Sequence, residues 1–314
     1  MRVVVLMSTY QGERYIQEQL ASVLTQLPPE GRIVIRDDGS TDETVAKIYG
    51  VRDERISLVR GPNVGFVRSF LELLGTAPDD AEMIMLADQD DVWLPHKIER
   101  AWNVIGGSAD VPTLYCSRLQ LVDKQLTPLG LSPNWPQQPS FQNALTENIV
   151  TGCTAALNVP AARLARRSGD PNRIYFHDWW MYLVVAAFGR VVFDPEPTVL
   201  YRQHGSNVIG MGSGMARYRA MLRFLRKTNW VHVMFEQIQE FGAAHGTQLD
   251  AQQQRLLDRY FDPHDGGATV RLLFAPRRFQ QSLAGEILFR ILVAACVASG
   301  RGLLPRRIRT LSGS

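Results

Sequence analysis

The sequence predicts an α/β protein: a mostly parallel, mixed sheet flanked by helices, followed by a helical appendage at the carboxyl end. Three observations carry this expectation. Short apolar runs alternate with helix-spaced apolar residues through the first hundred positions, three of those runs end in polar clusters, and helical patterns dominate beyond Gly205.

The elements follow in order. Val3 to Met7 reads as a strand, and Ile16, Leu20, Val23 and Leu24 then recur at helical spacing. Arg32 to Arg36 is a second strand, and Ser40-Thr41-Asp42-Glu43 has the form of a capping box opening a helix through Thr44, Val45 and Ile48. Ile56 to Val59 is a third strand, with Phe66, Phe70, Leu73 and Leu74 marking the helix after it. Met83 to Ala87 is the fourth, and Pro95 suits the first turn of a helix carrying Ile98, Trp102 and Ile105. Beyond Val111 the pattern loosens: a strand from Leu114 to Val122, a short helix from Gln142 to Ile149, and a strand at Val191 to Phe193 stopped by Pro195 and Pro197. Met215, Tyr218, Leu222 and Leu225 form an apolar stripe flanked by Arg217, Arg219, Arg223, Arg226 and Lys227, the pattern of a basic amphipathic helix. Ile287 to Ala298 is apolar but shorter than the ~20 residues a membrane span needs, so it is expected to be interfacial or packed.

Composition bounds the class. With 314 residues, 45% hydrophobic and 21% charged, the chain fits one large domain with an appendage or two domains. Cys116, Cys153 and Cys296 are odd in number and widely spaced, which suggests neither a disulfide framework nor a zinc site and fits a reducing compartment. The first strand turns polar at Ser8, too early for a signal peptide. From Val270 onward there are eight arginines and one acid, a local balance of +7 within a chain total of +3, so what precedes sums to −4. A basic tail on an acidic body points to a polyanionic partner. Arginines interleaved with Leu, Ile and Val, with few aromatics for base stacking, favour an anionic membrane surface over nucleic acid.

Chemistry concentrates where the fourth strand exits into Asp88-Gln89-Asp90-Asp91. Three crowded carboxylates repel one another unless a cation or donor hydrogen bonds neutralise them. Oxygen ligands suit Mg2+ or Mn2+, and Mg2+ completes its shell with water and substrate phosphates, so the expected ligand is a diphosphate. A solvated acidic turn is the alternative. In parallel sheets ligands bind beyond the carboxyl ends of strands, and Ser8-Thr9-Tyr10, Asp37-Asp38-Gly39-Ser40 and the acidic run are expected to converge there. No Gly-x-Gly-x-x-Gly follows the first strand and no Gly-x-x-x-x-Gly-Lys occurs, which argues against dinucleotide and P-loop chemistry. Asp178 stands in a short polar break between Ile174-Tyr175-Phe176 and the apolar run from Trp179 to Ala187, where an acid has no packing reason to be. It suits a general base, with a helix N-cap as the competing role.

This ordered set, together with Asn63-Val64-Gly65, His177-Asp178-Trp179-Trp180 and Tyr201-Arg202-Gln203-His204-Gly205-Ser206-Asn207, resembles the family 2 inverting glycosyltransferases of the GT-A fold, in particular their bacterial rhamnosyltransferase-like branch. The likeness covers about residues 1–210, with 1–110 as the nucleotide-binding half and 111–210 as the acceptor and catalytic half; a basic helical region, 211–314, follows. The resemblance implies transfer of a sugar, such as L-rhamnose from dTDP-rhamnose, from a dTDP- or UDP-linked donor to a saccharide or lipid-linked acceptor for cell-surface polysaccharide. The cysteine usage and the basic tail, which lies outside the likeness, lead instead to the expectation of a cytoplasmic protein held peripherally at the inner face of the membrane. The resemblance assigns Asp38 to the imide of uracil or thymine, and Ser8, Thr9, Tyr10 and Gly65 to the base and ribose. Asp88 is assigned to the ribose or a metal-bound water, Asp90 to the metal, His204 to the metal or diphosphate, and Arg202 to the diphosphate. Gly152, Cys153 and Thr154 fall where the family lines the donor sugar or acceptor. Trp179 and Trp180 offer flat walls for a sugar ring, with at least one expected in the core. Two other classes stay open: a sugar nucleotidyltransferase, whose glycine-rich basic loop is replaced here by Gln11-Gly12-Glu13, and a non-catalytic membrane-associated scaffold, which would need none of Asp38, Asp88, Asp90 and Asp178.

Overall fold

A computed structural model describes residues 1–106, 110–166, 169–203 and 230–299. Among the described residues nine strands form one sheet. In chain order they are β1 (Val3–Thr9), β2 (Arg32–Asp37), β3 (Ile56–Arg60), β4 (Met83–Ala87), β5 (Val92–Trp93), β6 (Thr113–Val122), β7 (Pro128–Leu131), β8 (Ala156–Leu157) and β9 (Arg190–Arg202). The order across the sheet is β3-β2-β1-β4-β8-β6-β9-β5, with β7 paired to β6. β3, β2, β1 and β4 are mutually parallel, while β8 runs antiparallel to both β4 and β6.

Alternation along each strand sorts side chains to two faces. Val3, Val5 and Met7 of β1 and Met83 and Met85 of β4 pack under α1 (Ile16–Leu24) and α4 (Lys97–Ile105), on the side that also takes Ile48 of α2 (Thr44–Gly50). Val4, Leu6, Ile84 and Leu86 face α3 (Phe66–Thr76), α6 (Val159–Arg166) and α7 (His177–Phe188). A short α5 (Phe141–Ala144) lies against α7. The second cluster continues without a break into α8 (Trp230–His245), α9 (Ala251–Tyr260), α10 (Gly266–Leu273) and α11 (Leu283–Ala298), through Val231, Phe235, Phe241, Leu272, Phe289 and Val293.

Several local expectations are corrected. The capping box at Ser40 to Glu43 does not form: Ser40 gives its hydroxyl to Asp37, and Asp42 accepts from the Thr44 backbone N–H instead. α4 begins at Lys97, two residues beyond Pro95. The helix expected at 142–149 is the shorter α5, because Asn143, Thr146 and Glu147 turn to bond the segment before α11. Pro195 and Pro197 do not stop β9; the pairing with β6 skips from Ser117–Asp194 to Arg118–Pro197, a bulge that removes the need for the missing N–H. The basic stripe at 215–227 lies outside the described residues.

Candidate active site

Register alone builds the crevice. Thr9 lies opposite Asp37 across β1–β2, and Met7 opposite Ala87 across β1–β4, so the three polar strand ends stand side by side. Two cross-links fix them. The Asp38 N–H donates to the Thr9 carbonyl at 2.8 Å. The Gln89 side chain accepts from the Tyr10 N–H at 2.9 Å and donates to the Tyr10 carbonyl at 2.8 Å, mimicking a strand partner inside the acidic motif.

The candidate base pocket is braced from within. Asp38 is buried; it forms an ion pair with Arg36 and accepts from the N–H groups of Val64 and Gly65 at 3.0 and 2.9 Å. These bonds tie the Asn63-Val64-Gly65 turn to the end of β2. Gly65 stands at φ +82° immediately before α3, with open space where a side chain would be, so its role is the backbone conformation. Thr9 is buried with its hydroxyl donating to Asp37, which corrects the expectation that its side chain lines a ligand. Asp37, given no role of its own from the sequence, also accepts from the hydroxyl and N–H of Ser40 and so organises the turn. The Ser8 hydroxyl meets that of Ser69 at 2.7 Å, while Tyr10 is 48% exposed.

The acids of the β4 exit lie close enough to one another and to Asp178 for their charges to interact. Burial pushes the Asp88 carboxyl up to about 7, and the neighbouring charges of Asp90 and Asp178 push the same way. Asp91 is buried and held well above the usual carboxylate range by burial, with Asp90 and Asp88 adding to it. Ligand atoms of Asp88, Asp91 and Cys153 lie within 4.8 Å of one another. The thiol does not suit a hard cation, and burial holds it protonated. Asp88 and Asp90 are half-buried and Asp91 is buried, so the oxygens of Asp88 and Asp90 are the more accessible ones for a hard cation such as Mg2+ or Mn2+.

Beneath the acids lies a cation that the sequence reading passed over. Lys97 is fully buried; its Nζ donates to the Cys153 carbonyl at 3.0 Å and lies 4.6 Å from the Trp93 ring centre. Burial pulls its pKa down to about 8, and the charges of Asp91 and Asp88 oppose that fall. Its signal was legible: Lys97, Ala101 and Ile105 recur every four residues on the buried face of α4.

Arg202 has a positioning role. It is 2% exposed, and its guanidinium donates to the Asp90 carbonyl (2.9 Å), the Lys124 carbonyl (2.8 Å) and Glu18 (2.5 Å), while its own N–H donates to Asp91 at 3.1 Å. A diphosphate contact is not part of this arrangement, which anchors the acidic turn to β9 and α1. His204 lies outside the described residues.

On the far side stands Asp178, in the first turn of α7. It accepts from the Trp179 N–H (2.7 Å) and from the Gly152 N–H (3.2 Å); the N-cap of α7 is Phe176 and no side chain caps it, so the capping role expected as the alternative for Asp178 does not form. Burial pushes its carboxyl up to about 6. Gly152, Cys153 and Thr154 form one buried 3-10 turn that links Asp178 to Lys97. A Cβ on Gly152 would meet His177 Nε2 at 2.7 Å. His177 is itself buried against Phe70, ring centres 4.3 Å apart, and neither of its nitrogens has a hydrogen-bond partner among the described residues. Burial holds it neutral, with a pKa near about 3. Trp179 and Trp180 are both in the core, correcting their expected place beside a sugar. Trp179 donates to the Ala144 carbonyl and stacks on Trp230, and Trp180 packs against Phe241.

Known proteins share this chain's sequence pattern and its fold. Residues 4–169, more than half of the chain, match the model of glycosyl transferase family 2. The chain is 29% identical over 239 residues to the dTDP-rhamnosyl transferase RfbG of Shigella flexneri, covering 68% of this chain and 78% of that protein. It is 26% identical over 219 residues to an uncharacterized glycosyltransferase of Nostoc, covering 66% of each. Among solved structures it superposes on S. aureus TarS 1–349 in complex with UDP-GlcNAc with a TM-score of 0.55 at 16% identity, covering 100% of this chain and 95% of that one. It superposes on the mannosyltransferase PcManGT of Pyrobaculum calidifontis, in complex with GDP-Man and Mn2+, with a TM-score of 0.52 at 13% identity, covering 95% and 87%. The chain belongs to glycosyl transferase family 2 and is a glycosyltransferase with the GT-A fold, which sets aside the nucleotidyltransferase and scaffold alternatives.

Proposed function

We propose that this glycosyltransferase moves a sugar, with inversion, from a dTDP- or UDP-linked donor to a hydroxyl of a saccharide or lipid-linked acceptor, using Mg2+ or Mn2+. The observation that carries the reading is the meeting of Asp88, Asp90 and Asp178 at one crevice, with Asp178 on an element of its own. When bound, the ion supplies Lewis-acid neutralisation of the departing diphosphate, so a separate general acid is not required. Asp90 and Asp88 hold it. Asp178 accepts the proton of the acceptor hydroxyl; a carboxyl near about 6 is ionised at neutral pH and still basic enough for the task. Ser8, Tyr10, Asp38 and Gly65 receive the base and ribose, Asp38 by trading part of its internal bonding for the imide N–H, and His204 is assigned to the metal or diphosphate. L-rhamnose from dTDP-rhamnose is the preferred donor, on the strength of the S. flexneri relative. In this reading the enzyme works at the inner face of the cell membrane, in surface polysaccharide synthesis.

The test is thermal stabilisation of the purified chain by a panel of dTDP- and UDP-sugars with and without Mn2+, followed by release of nucleoside diphosphate. Metal-dependent stabilisation is expected and is expected to vanish in Asp90→Asn. Stabilisation that ignores the metal, or survives Asp90→Asn, ends the assignment of Asp90.

A further inference from the structure

α11 meets the body on one side only. Glu286, Phe289, Val293 and Cys296 recur at three- and four-residue spacing and are buried. On the opposite side Leu283, Ile287 and Ile291 are 65%, 53% and 57% exposed, joined by the exposed Ala284, Ala294, Ala295 and Ala298. The two charged residues of the helix do not face that side: Arg290 pairs with Glu286 at 2.8 Å and donates to the carbonyls of Leu273, Ala275 and Arg277. The segment that Arg290 holds presents Phe274, 80% exposed, with Val270 55% exposed one turn earlier. A helix on the surface of a soluble protein puts polar residues here, and a continuous apolar face of this kind marks an interaction surface.

Charge identifies the occupant. Arg277 and Arg278 are exposed beside Phe274; Arg271 and Arg290 are committed to Asp265 and Glu286, and in sequence alone Arg301, Arg306, Arg307 and Arg309 follow with no acid among them. We propose that this face lies flat on an anionic lipid bilayer, with Phe274, Ile287 and Ile291 entering the headgroup boundary and the arginines meeting lipid phosphates. A second copy of the chain fits less well, because a two-fold contact would bring two arginine-rich rims together. No helix among the described residues is long and apolar enough to cross a membrane, so the contact is in the plane.

The surface is joined to the acceptor side of the crevice. The Gln280 side chain donates to the Thr146 carbonyl at 3.0 Å and the Gln281 N–H to Glu147 at 2.6 Å, while the next residue, Asn148, hydrogen-bonds Asp178. The segment leading into α11 is thus tied by hydrogen bonds to the stretch of chain that contacts the proposed base. Resting on the function proposed above, an enzyme docked in this way meets the lipid-linked class of its acceptors, a glycan presented at the membrane surface.

The experiment is co-sedimentation of the full chain, without nucleotide sugar, with vesicles of phosphatidylcholine alone or mixed with phosphatidylglycerol. Its outcome is thus independent of the catalytic assignment. Binding is expected only to the mixed vesicles and weakens with salt. Ile287→Ser with Ile291→Ser weakens it about a hundredfold, and Phe274→Ser about tenfold. All three positions are exposed, so melting temperatures stay unchanged, which separates lost docking from lost folding. Unchanged binding in both variants overturns the proposal, as does equal binding to neutral vesicles. A dimer in sedimentation velocity that the double variant dissolves also overturns it, in favour of a second copy.

Discussion

Replacing Asp178 with Asn tests the base and its electrostatics together. The carboxyl is pushed from the ordinary 3.8 to about 6, which at ~1.4 kcal/mol per unit amounts to roughly 3 kcal/mol against the ionised form in the fold. The sign follows from linkage: in the unfolded chain the group ionises near 3.8, in the fold near about 6, so the wild type loses stability as pH rises through that window. Above it the cost is complete, and below 3.8 it is absent. Asn removes the charge and still accepts from the Trp179 N–H, but it forfeits one charge-assisted acceptor toward Gly152, worth about 1 kcal/mol. With partial solvent screening, the net gain is about 1 kcal/mol, a rise of a few degrees in melting temperature at pH 8. The variant is therefore expected to be more stable than the wild type at pH 8, to lose that advantage by pH 4, and to have no measurable transfer. In the wild type, kcat/KM measured by nucleoside diphosphate release falls about tenfold per unit below pH 6. Turnover retained in Asp178→Asn removes the residue from the mechanism. A melting temperature lowered at pH 8 refutes the electrostatic account even if turnover is lost.

Two further substitutions probe the floor of the site. Lys97→Met keeps the volume of the buried stem but strips Asp91 and Asp88 of the charge beneath them; a loss of about 2–4 kcal/mol is expected in urea melts, and a variant as stable as the wild type would show that Lys97 offsets nothing. Gly152→Ala drives a methyl to within 2.7 Å of His177 Nε2, and His177 is walled in by Phe66 and Phe70, so the 3-10 turn must shift against Asp178. Turnover is expected to drop at least about tenfold with a stability loss of about 1–3 kcal/mol; normal kinetics would mean that the turn has room to yield.

The parallel half of the sheet was legible because each strand there alternates or runs apolar and each helix after it keeps its own period; β1 to β4 and α1, α3 and α4 rest on nothing more distant than that. β5 and β8, two residues each, carry no pattern and exist only through the partners they pair with. Pro195 and Pro197 misled for a related reason: whether a proline ends a strand depends on the partner strand skipping a residue, and that is invisible in the strand itself. The acids at the strand exit stood out because charge at such a position has no packing use. The braces did not. Gln89 against the Tyr10 backbone, and Arg202 against the Asp90 carbonyl, are choices of partner across 79 and 112 residues. Trp179 and Trp180 read equally well as ring platforms or as core, and burial decided for core.

What the braces share explains how the site can hold so much like charge. Arg202 binds the backbone of the acidic turn from one side and Lys97 lies under Asp91 and Asp88 from the other, so the protein fixes the position of the carboxylates without neutralising those that face the crevice. Packing around Trp179, Trp180, Phe70 and the neutral His177 then supplies the rigidity that keeps Asp178 beside Asp88 rather than swinging into solvent. A site that satisfied its own charges would be more stable and would bind neither ion nor diphosphate. The raised carboxyls of Asp88 and Asp178 come first from burial, joined at Asp88 by the charges of Asp90 and Asp178, and the ion proposed above would offset that cost.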